Sequence, residues 1–276
     1  MSQITAGRED ALVRAMIEGR PLPLPVIDIH GHSGPCFDVQ APHRDPAGMI
    51  PVMDALGVAV CAISENGAWT ADFVAANTQT AKAVRSFPGR FLGYAGADPH
   101  YPGLITRELK RCFDEFGFKM IKLHAYTHQY PLTGEKYEEV YNFAEERHAV
   151  ILTHTWDSIP DCSVDLAAEA ARRHPGVTWI WAHSGAADYA RALELAEGLP
   201  HVYLELSWSR VYNGLVEHFL QTLPAEKFLF GSDFSFVSLP QTIAKIVFAD
   251  ITEADKRKLL HDNSARILKS IGITVP

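Results

Sequence analysis

Four histidines, a lysine and an aspartate stand where side chains of their kind could share a cation. Two of the histidines lie in the run Asp28-Ile29-His30-Gly31-His32. Side chains of an extended strand alternate with period two, so His30 and His32 point the same way, and two imidazoles on one face can bind one metal ion. A single histidine on an apolar strand is usually a satisfied core or loop residue. A pair at this spacing is less easily set aside. His154, His183 and Asp233 close three later apolar runs, and Lys122 and His124 share a face at the end of another. Gathering several imidazoles and a carboxylate without a cation would leave polar groups unpaired, at roughly 1–3 kcal/mol apiece. A divalent ion removes the conflict; imidazole and carboxylate ligands suit Zn²⁺ best, with Fe²⁺, Mn²⁺ and Co²⁺ as alternatives. Lys122 sits among Met120, Ile121 and Leu123 and is expected to point inward. Beside a cation it must be neutral, or be carboxylated to a carbamate that binds metal as an anion and so permits two ions.

The elements that must position these groups are legible as eight short apolar runs: VIDIH at 26, VAVCAIS at 58, FLGYAGA at 91, FKMIKLH at 118, AVILTHT at 149, VTWIWAH at 177, HVYLELS at 201 and KFLFGSD at 227. Unbroken runs of this length suit strands buried on both faces. Between them lie segments of helical character, such as EKYEEVYNFAEER and ADYARALELAEG. Eight strands alternating with helices imply parallel pairing through right-handed crossovers. An open doubly wound sheet gathers its ligand at one switch point, whereas the polar residues here recur at the ends of many strands, so the expected fold is a closed (β/α)₈ TIM barrel. The 276 residues, 47% hydrophobic and 21% charged, are read as one barrel domain, with residues 1–25 an N-terminal extension. Residues 254–276 are read as a C-terminal helical tail, a helix pair interrupted near Asn263.

Composition narrows the partners. The net charge is −8, and basic residues such as Arg107, Lys110 and Arg111 are scattered through helices, which argues against nucleic acid. No apolar run approaches the roughly 20 residues of a membrane span, and the opening MSQITAGRED has no signal-peptide core. The four cysteines form no CxxC and are expected to be reduced thiols of a cytoplasmic protein. Around the barrel mouth, Glu65, Asn66 and Trp69 follow strand two, Tyr126 and His128 strand four, Trp156 and Asp157 strand five, and Ser207, Trp208 and Arg210 strand seven. Arg210 is the candidate for gripping a substrate carboxylate, although an exposed arginine is more often a solvated charge. Glu205 is either a partner to a ligand histidine or an ion-paired structural acid.

The ordered set of motifs resembles the amidohydrolase superfamily, and within it the amidohydrolase 2 branch of hydrolases and decarboxylases. The matching residues are the HxH of His30 and His32, His154, the AHSG stretch around His183, the FGSDF stretch around Asp233, and the tail motif Asp262 to Ile267. The resemblance implies that His30, His32, His154 and Asp233 bind a metal that activates water, that Asp233 also moves protons, and that His183 binds a second metal or polarises the substrate. Lys122 falls on the strand that carries the bridging carbamate in binuclear members such as phosphotriesterase, whereas decarboxylases of the branch commonly hold one metal and lack that lysine. The resulting expectation is a hydrolase of a small ester, lactone or amide, with His124, Trp156 and Arg210 contacting a small-molecule substrate. The rivals are a decarboxylase of an aromatic or unsaturated acid, and a metal-binding scaffold without catalysis. Members of the family are often dimers.

Overall fold

The computed structural model describes residues 10–36, 40–70, 72–186, 188–207 and 212–276. Eight strands form one sheet in chain order: β1 (Val26–Ser33), β2 (Val58–Glu65), β3 (Phe91–Gly96), β4 (Met120–Leu123), β5 (Val150–Trp156), β6 (Thr178–Ala186), β7 (Val202–Glu205) and β8 (Phe228–Leu229). Each pairs in parallel with the next. The sheet closes on itself where the chain after β8 meets β1: the Ile29 N–H donates to Phe230 O (3.1 Å), the Asp233 N–H to His30 O (2.8 Å) and the His32 N–H to Phe234 O (2.5 Å). The result is the (β/α)₈ barrel that the alternation of runs predicts.

The unbroken apolar character of the strands has a direct cause in two packing layers. Ile27, Ile29, Ala62, Tyr94, Met120, Val150, Leu152, Ile180, Ala182 and Leu229 fill the barrel interior. Their strand neighbours, including Val58, Ile63, Ile121, Ile151, Trp179 and Leu204, pack outward against the helices. Helices begin where a short polar side chain satisfies free backbone donors: Asp45 receives Gly48 N–H, Asp72 receives Val74 and Ala75, Ser163 receives Leu166, and Asp188 receives Arg191.

Both ends of the described residues are tied to this frame. Helix Ala11–Ile17 contributes Leu12 and Val13 to the outer layer, and its cap Asp10 also accepts from Lys256 Nζ at 2.6 Å. Near Asn263 the α-helical ladder changes: a turn of π-helix, Lys258–Asp262, lies between helix Glu253–Arg257 and helix Asn263–Ser270. Asn263 holds the junction by donating to the carbonyls of Ala225 and Phe228. Ile267 and Leu268 then join the interior cluster beside Ile27 and Val150 and stopper that end of the barrel. Among the described residues no helix is long and apolar enough to cross a membrane.

Candidate metal centre

At the carboxyl end of the barrel the strands lose their regular register, and the loss aims the polar side chains. Between Asp28 and Gly31 three steps of β1 span two of β2, since Asp28 pairs with Cys61 and Gly31 with Ile63. This bulge reverses the alternation. Below it Ile27 and Ile29 face the interior; above it His30 and His32 do. Asp28 turns the other way and pins the bulge, accepting from the His30 N–H (3.1 Å) and Ser232 N–H (3.0 Å) on one oxygen and from Ser232 Oγ and Cys61 Sγ on the other. On the far side of the barrel His154 pairs with Ala182 and Trp156 with Ala186, so two steps of β5 span four of β6. The residues in between on β6, His183, Ser184 and Gly185, all have positive φ (63°, 50° and 67°), as does Asp233 (59°). Left-handed backbone at non-glycine residues costs about 1 kcal/mol or more and collects at functional sites.

His30, His32 and Asp233 come together as a group whose ligand atoms lie within 4.8 Å of one another. His30 Nε2 is 3.1 Å from His32 Nε2, and Asp233 Oδ1 is 3.5 Å from the first and 3.2 Å from the second. Lys122 Nζ reaches His30 Nε2 at 2.8 Å and is 1% exposed. A second pair stands alongside: His183 Nε2 is 3.1 Å from His154 Nδ1, and the His30 and His183 rings are 5.3 Å apart. Glu205 Oε2 lies 3.0 Å from His30 Nδ1, and Ser207 O lies 2.7 Å from His183 Nδ1. A carboxylate and a carbonyl can only accept, so both Nδ1 atoms carry the hydrogen and both Nε2 atoms present a lone pair. A histidine whose far nitrogen is held by a carboxylate or carbonyl is the arrangement of a metal ligand. The donor set therefore fits a divalent cation.

The electrostatics agree with that fit. Burial, and then the Lys122 charge, bring His30 down to about 3 against the opposing pull of Glu205. Burial also lowers His32, and burial followed by the His124 and His183 fields holds His154 well below the usual imidazole value. The three rings are thus neutral and able to ligate. Burial works against the charge of Asp233, but the bond to His32 and the fields of His30 and His183 outweigh it and keep the carboxyl well below its usual range. Burial lowers Lys122 to about 8, opposed by Asp233 and Glu205.

The other residues named from sequence fall in three places. His124 begins the short helix Ala125–His128, just beyond β4, with Thr127 Oγ1 at 2.8 Å from its Nδ1; its ring is sandwiched between His154 (4.3 Å) and Trp69 (4.5 Å). Trp156 lies parallel to His154 at 6.0 Å, and Tyr126, 54% exposed, stacks over it at 6.4 Å. Phe236, which sequence reasoning missed, stacks on His32 at 5.0 Å. These rings wall the centre. Glu65 caps Gly67 instead, and His128 turns to the Tyr137 hydroxyl at 2.6 Å. Trp208 and Arg210 lie outside the described residues. Ser64, whose Oγ is 3.3 Å from His32 Nδ1, and the Asp28–Ser232 pair were also missed. An aspartate inside the apolar run VIDIH was the available signal, because a buried carboxyl must find donors.

A parallel barrel with an imidazole and carboxylate cluster at the carboxyl ends of its strands defines a class of metal-site barrel proteins. A family model described as amidohydrolase matches residues 27–269, and the chain belongs to that family, in its amidohydrolase 2 branch. Solved structures share the fold at low identity. The 2,6-dihydroxybenzoate decarboxylase from Rhizobium aligns with TM-score 0.71 and 17% identity over 90% of this chain and 100% of its own. A 5-carboxyvanillate decarboxylase from Novosphingobium aromaticivorans, complexed with manganese, gives 0.63 and 17% over 80% of this chain and 79% of that one. The 4-oxalomesaconate hydratase from Rhodopseudomonas palustris gives 0.65 and 18% over 89% and 97%.

Proposed function

We propose that this protein is a metal-dependent hydrolase that cleaves a small ester, lactone or amide, with His30, His32, Lys122, His154, His183 and Asp233 holding one or two divalent ions. Lys122 carries the reading. Its amine is buried against the lone pair of His30, 2.8 Å away, at the place where a cation would compete for the same electrons. Carboxylation would remove the ammonium and supply anionic oxygens between the His30, His32 and Asp233 group and the His154 and His183 pair. The ion, zinc on the strength of its imidazole and carboxylate donors, supplies a polarised carbonyl and an acidified water.

The chain's own residues supply the remaining chemistry. Asp233, ionised and partly exposed, is placed to take the proton of the attacking water and return it to the leaving group. The Ser207 carbonyl fixes the ring of His183, so that Nε2 faces the reaction side as a ligand or an acceptor. Trp69, His124 and Trp156 shield the reacting atoms from bulk water, and Arg210 is assigned to a substrate carboxylate.

Metal per chain, measured on the protein and on Lys122→Ala, tests the reading. About two ions falling to one or none in the variant, with ¹⁸O from labelled water entering the product of an ester or lactone screen, supports it. Absence of any bound metal after loading refutes it. The aromatic walls favour one second reading, decarboxylation of a flat acid, which the similarity to decarboxylases of 2,6-dihydroxybenzoate and 5-carboxyvanillate also supports. In that case one ion remains in Lys122→Ala, and CO₂ leaves without ¹⁸O incorporation.

A further inference from the structure

We propose that Glu205 is a positioning residue that couples the two halves of the centre, holding His30 and His183 together in the single tautomer that offers both Nε2 lone pairs to metal; this rests on the metal-dependent reading above.

Glu205 closes β7 and has no exposed surface. Its Oε2 takes three donors from three elements: His30 Nδ1 at 3.0 Å, the backbone N–H of His183 at 3.1 Å and Ser207 Oγ at 2.6 Å. Ser207 has one hydroxyl hydrogen. Because the carboxylate claims it, the lone pairs of Oγ are left to face His30 Nδ1 at 3.2 Å and His183 Nδ1 at 3.0 Å. Each ring thus donates its Nδ1–H into a fork, His30 to Glu205 and Ser207 Oγ, His183 to Ser207 O and Oγ. Glu205 sets the tautomer of His30 directly, and through the hydroxyl and the left-handed backbone at 183 it reinforces the one that the Ser207 carbonyl fixes for His183.

Two further features belong to this carboxylate. Glu205 Oε1 is buried with no hydrogen-bond partner among the described residues. It lies where a side chain on residue 231 would stand: a Cβ on Gly231 would fall 2.2 Å from Oε1 and 2.7 Å from the Cβ of His30. A buried carboxylate with one oxygen unpaired is costly unless cationic charge nearby compensates it. Lys122 and Lys245 lie close enough to interact with Glu205, and metal at the histidines would add to that charge. A purely structural acid would need only its hydrogen bonds, and glutamine, whose carbonyl can accept the same three, would replace it.

The experiment uses Zn²⁺ competition against a chromophoric chelator, with ¹⁵N–¹H correlation of the imidazole nitrogens in metal-free protein, on wild type, Glu205→Gln and Ser207→Ala. Glu205→Gln is expected to weaken Zn²⁺ by about 10- to 100-fold, the range for partners of ligand histidines, and to move His30 partly to the Nε2–H form. Wild-type affinity and unchanged tautomers in a folded Glu205→Gln overturn the proposal. If that variant does not fold, Ser207→Ala decides: about tenfold weaker binding with a disturbed His183 signal supports coupling, and unchanged values overturn it. Should wild type take up no Zn²⁺, the metal reading falls by itself, while the tautomer shift in Glu205→Gln still decides whether Glu205 positions the rings.

Discussion

Replacing Asp28 with asparagine separates two pH dependences that oppose each other in the native chain. Asp28 is fully buried, and burial pushes its carboxyl up to about 7 despite its donors Ser232 and His30. Two residues on, burial and Lys122 bring His30 down to about 3. Between pH 3.8 and 7 the folded chain holds a proton on Asp28 that the unfolded chain has released, so this group's contribution to stability falls as pH rises. At 1.36 kcal/mol per pH unit the whole window is worth about 4 kcal/mol. His30 works in reverse. Between pH 3 and 6.5 the unfolded chain binds a proton that the folded chain refuses, so stability rises with pH by about 5 kcal/mol across that window. The two slopes largely cancel, with His32 and His154 adding to the rising side.

Asparagine removes only the falling slope. Its carbonyl can take the N–H groups of His30 and Ser232 as Oδ1 does, and its amide can donate to Ser232 Oγ as the protonated acid would. Urea unfolding of metal-free wild type and Asp28→Asn at pH 4.5, 5.5, 6.5 and 7.5 reads the difference directly. The variant should gain on wild type by about 3 kcal/mol from the lowest to the highest pH, whatever its constant offset. A difference between the two chains that does not change with pH would refute the reasoning, because it would mean that Asp28 is ionised throughout.

Three further outcomes are expected. Gly231→Ala puts a methyl 2.2 Å from Glu205 Oε1 and 2.7 Å from His30 Cβ, so a chelator titration should show metal affinity reduced about tenfold or more alongside a stability loss of about 1–3 kcal/mol; unchanged affinity would mean that the cradle tolerates the methyl. Asp10→Ala strips a helix cap and leaves Lys256, with only 5% of its side chain exposed, without its carboxylate, which should cost about 2–4 kcal/mol in chemical denaturation. A loss under about 0.5 kcal/mol would show the pair to be idle. Removing metal by chelation should lower Tm by about 5–10 °C, the effect of an ion present at roughly a hundred times its Kd, and re-addition of Zn²⁺ should restore it in a calorimetric scan.

The barrel was legible because its determinants are local: strands buried on both faces must be apolar throughout, and eight such runs alternating with helices leave few topologies. The pairing of His30 with His32 was legible for the same reason, since period two survives over two residues. Strict alternation would also have put Asp28 on their face, and there it fails. The bulge between Asp28 and Gly31 sends Asp28 to Ser232 and Cys61 and the two histidines to the interior. His183 reaches the centre only through three consecutive left-handed residues, of which Gly185 alone advertises itself in sequence. The role of Glu205 was open between two readings because its partners lie 175, 22 and 2 residues away, and no window of HVYLELS contains all of them. Two of these steps, at His30 and at His183, interrupt the strand period, and each interruption brings to the centre a polar group that a regular strand would have turned outward. In a barrel whose ladders satisfy nearly every backbone group, such departures persist only where side chains from other strands over-determine them. Asp28 and Glu205 do this here, one holding the backbone of the bulge and the other the rings above it.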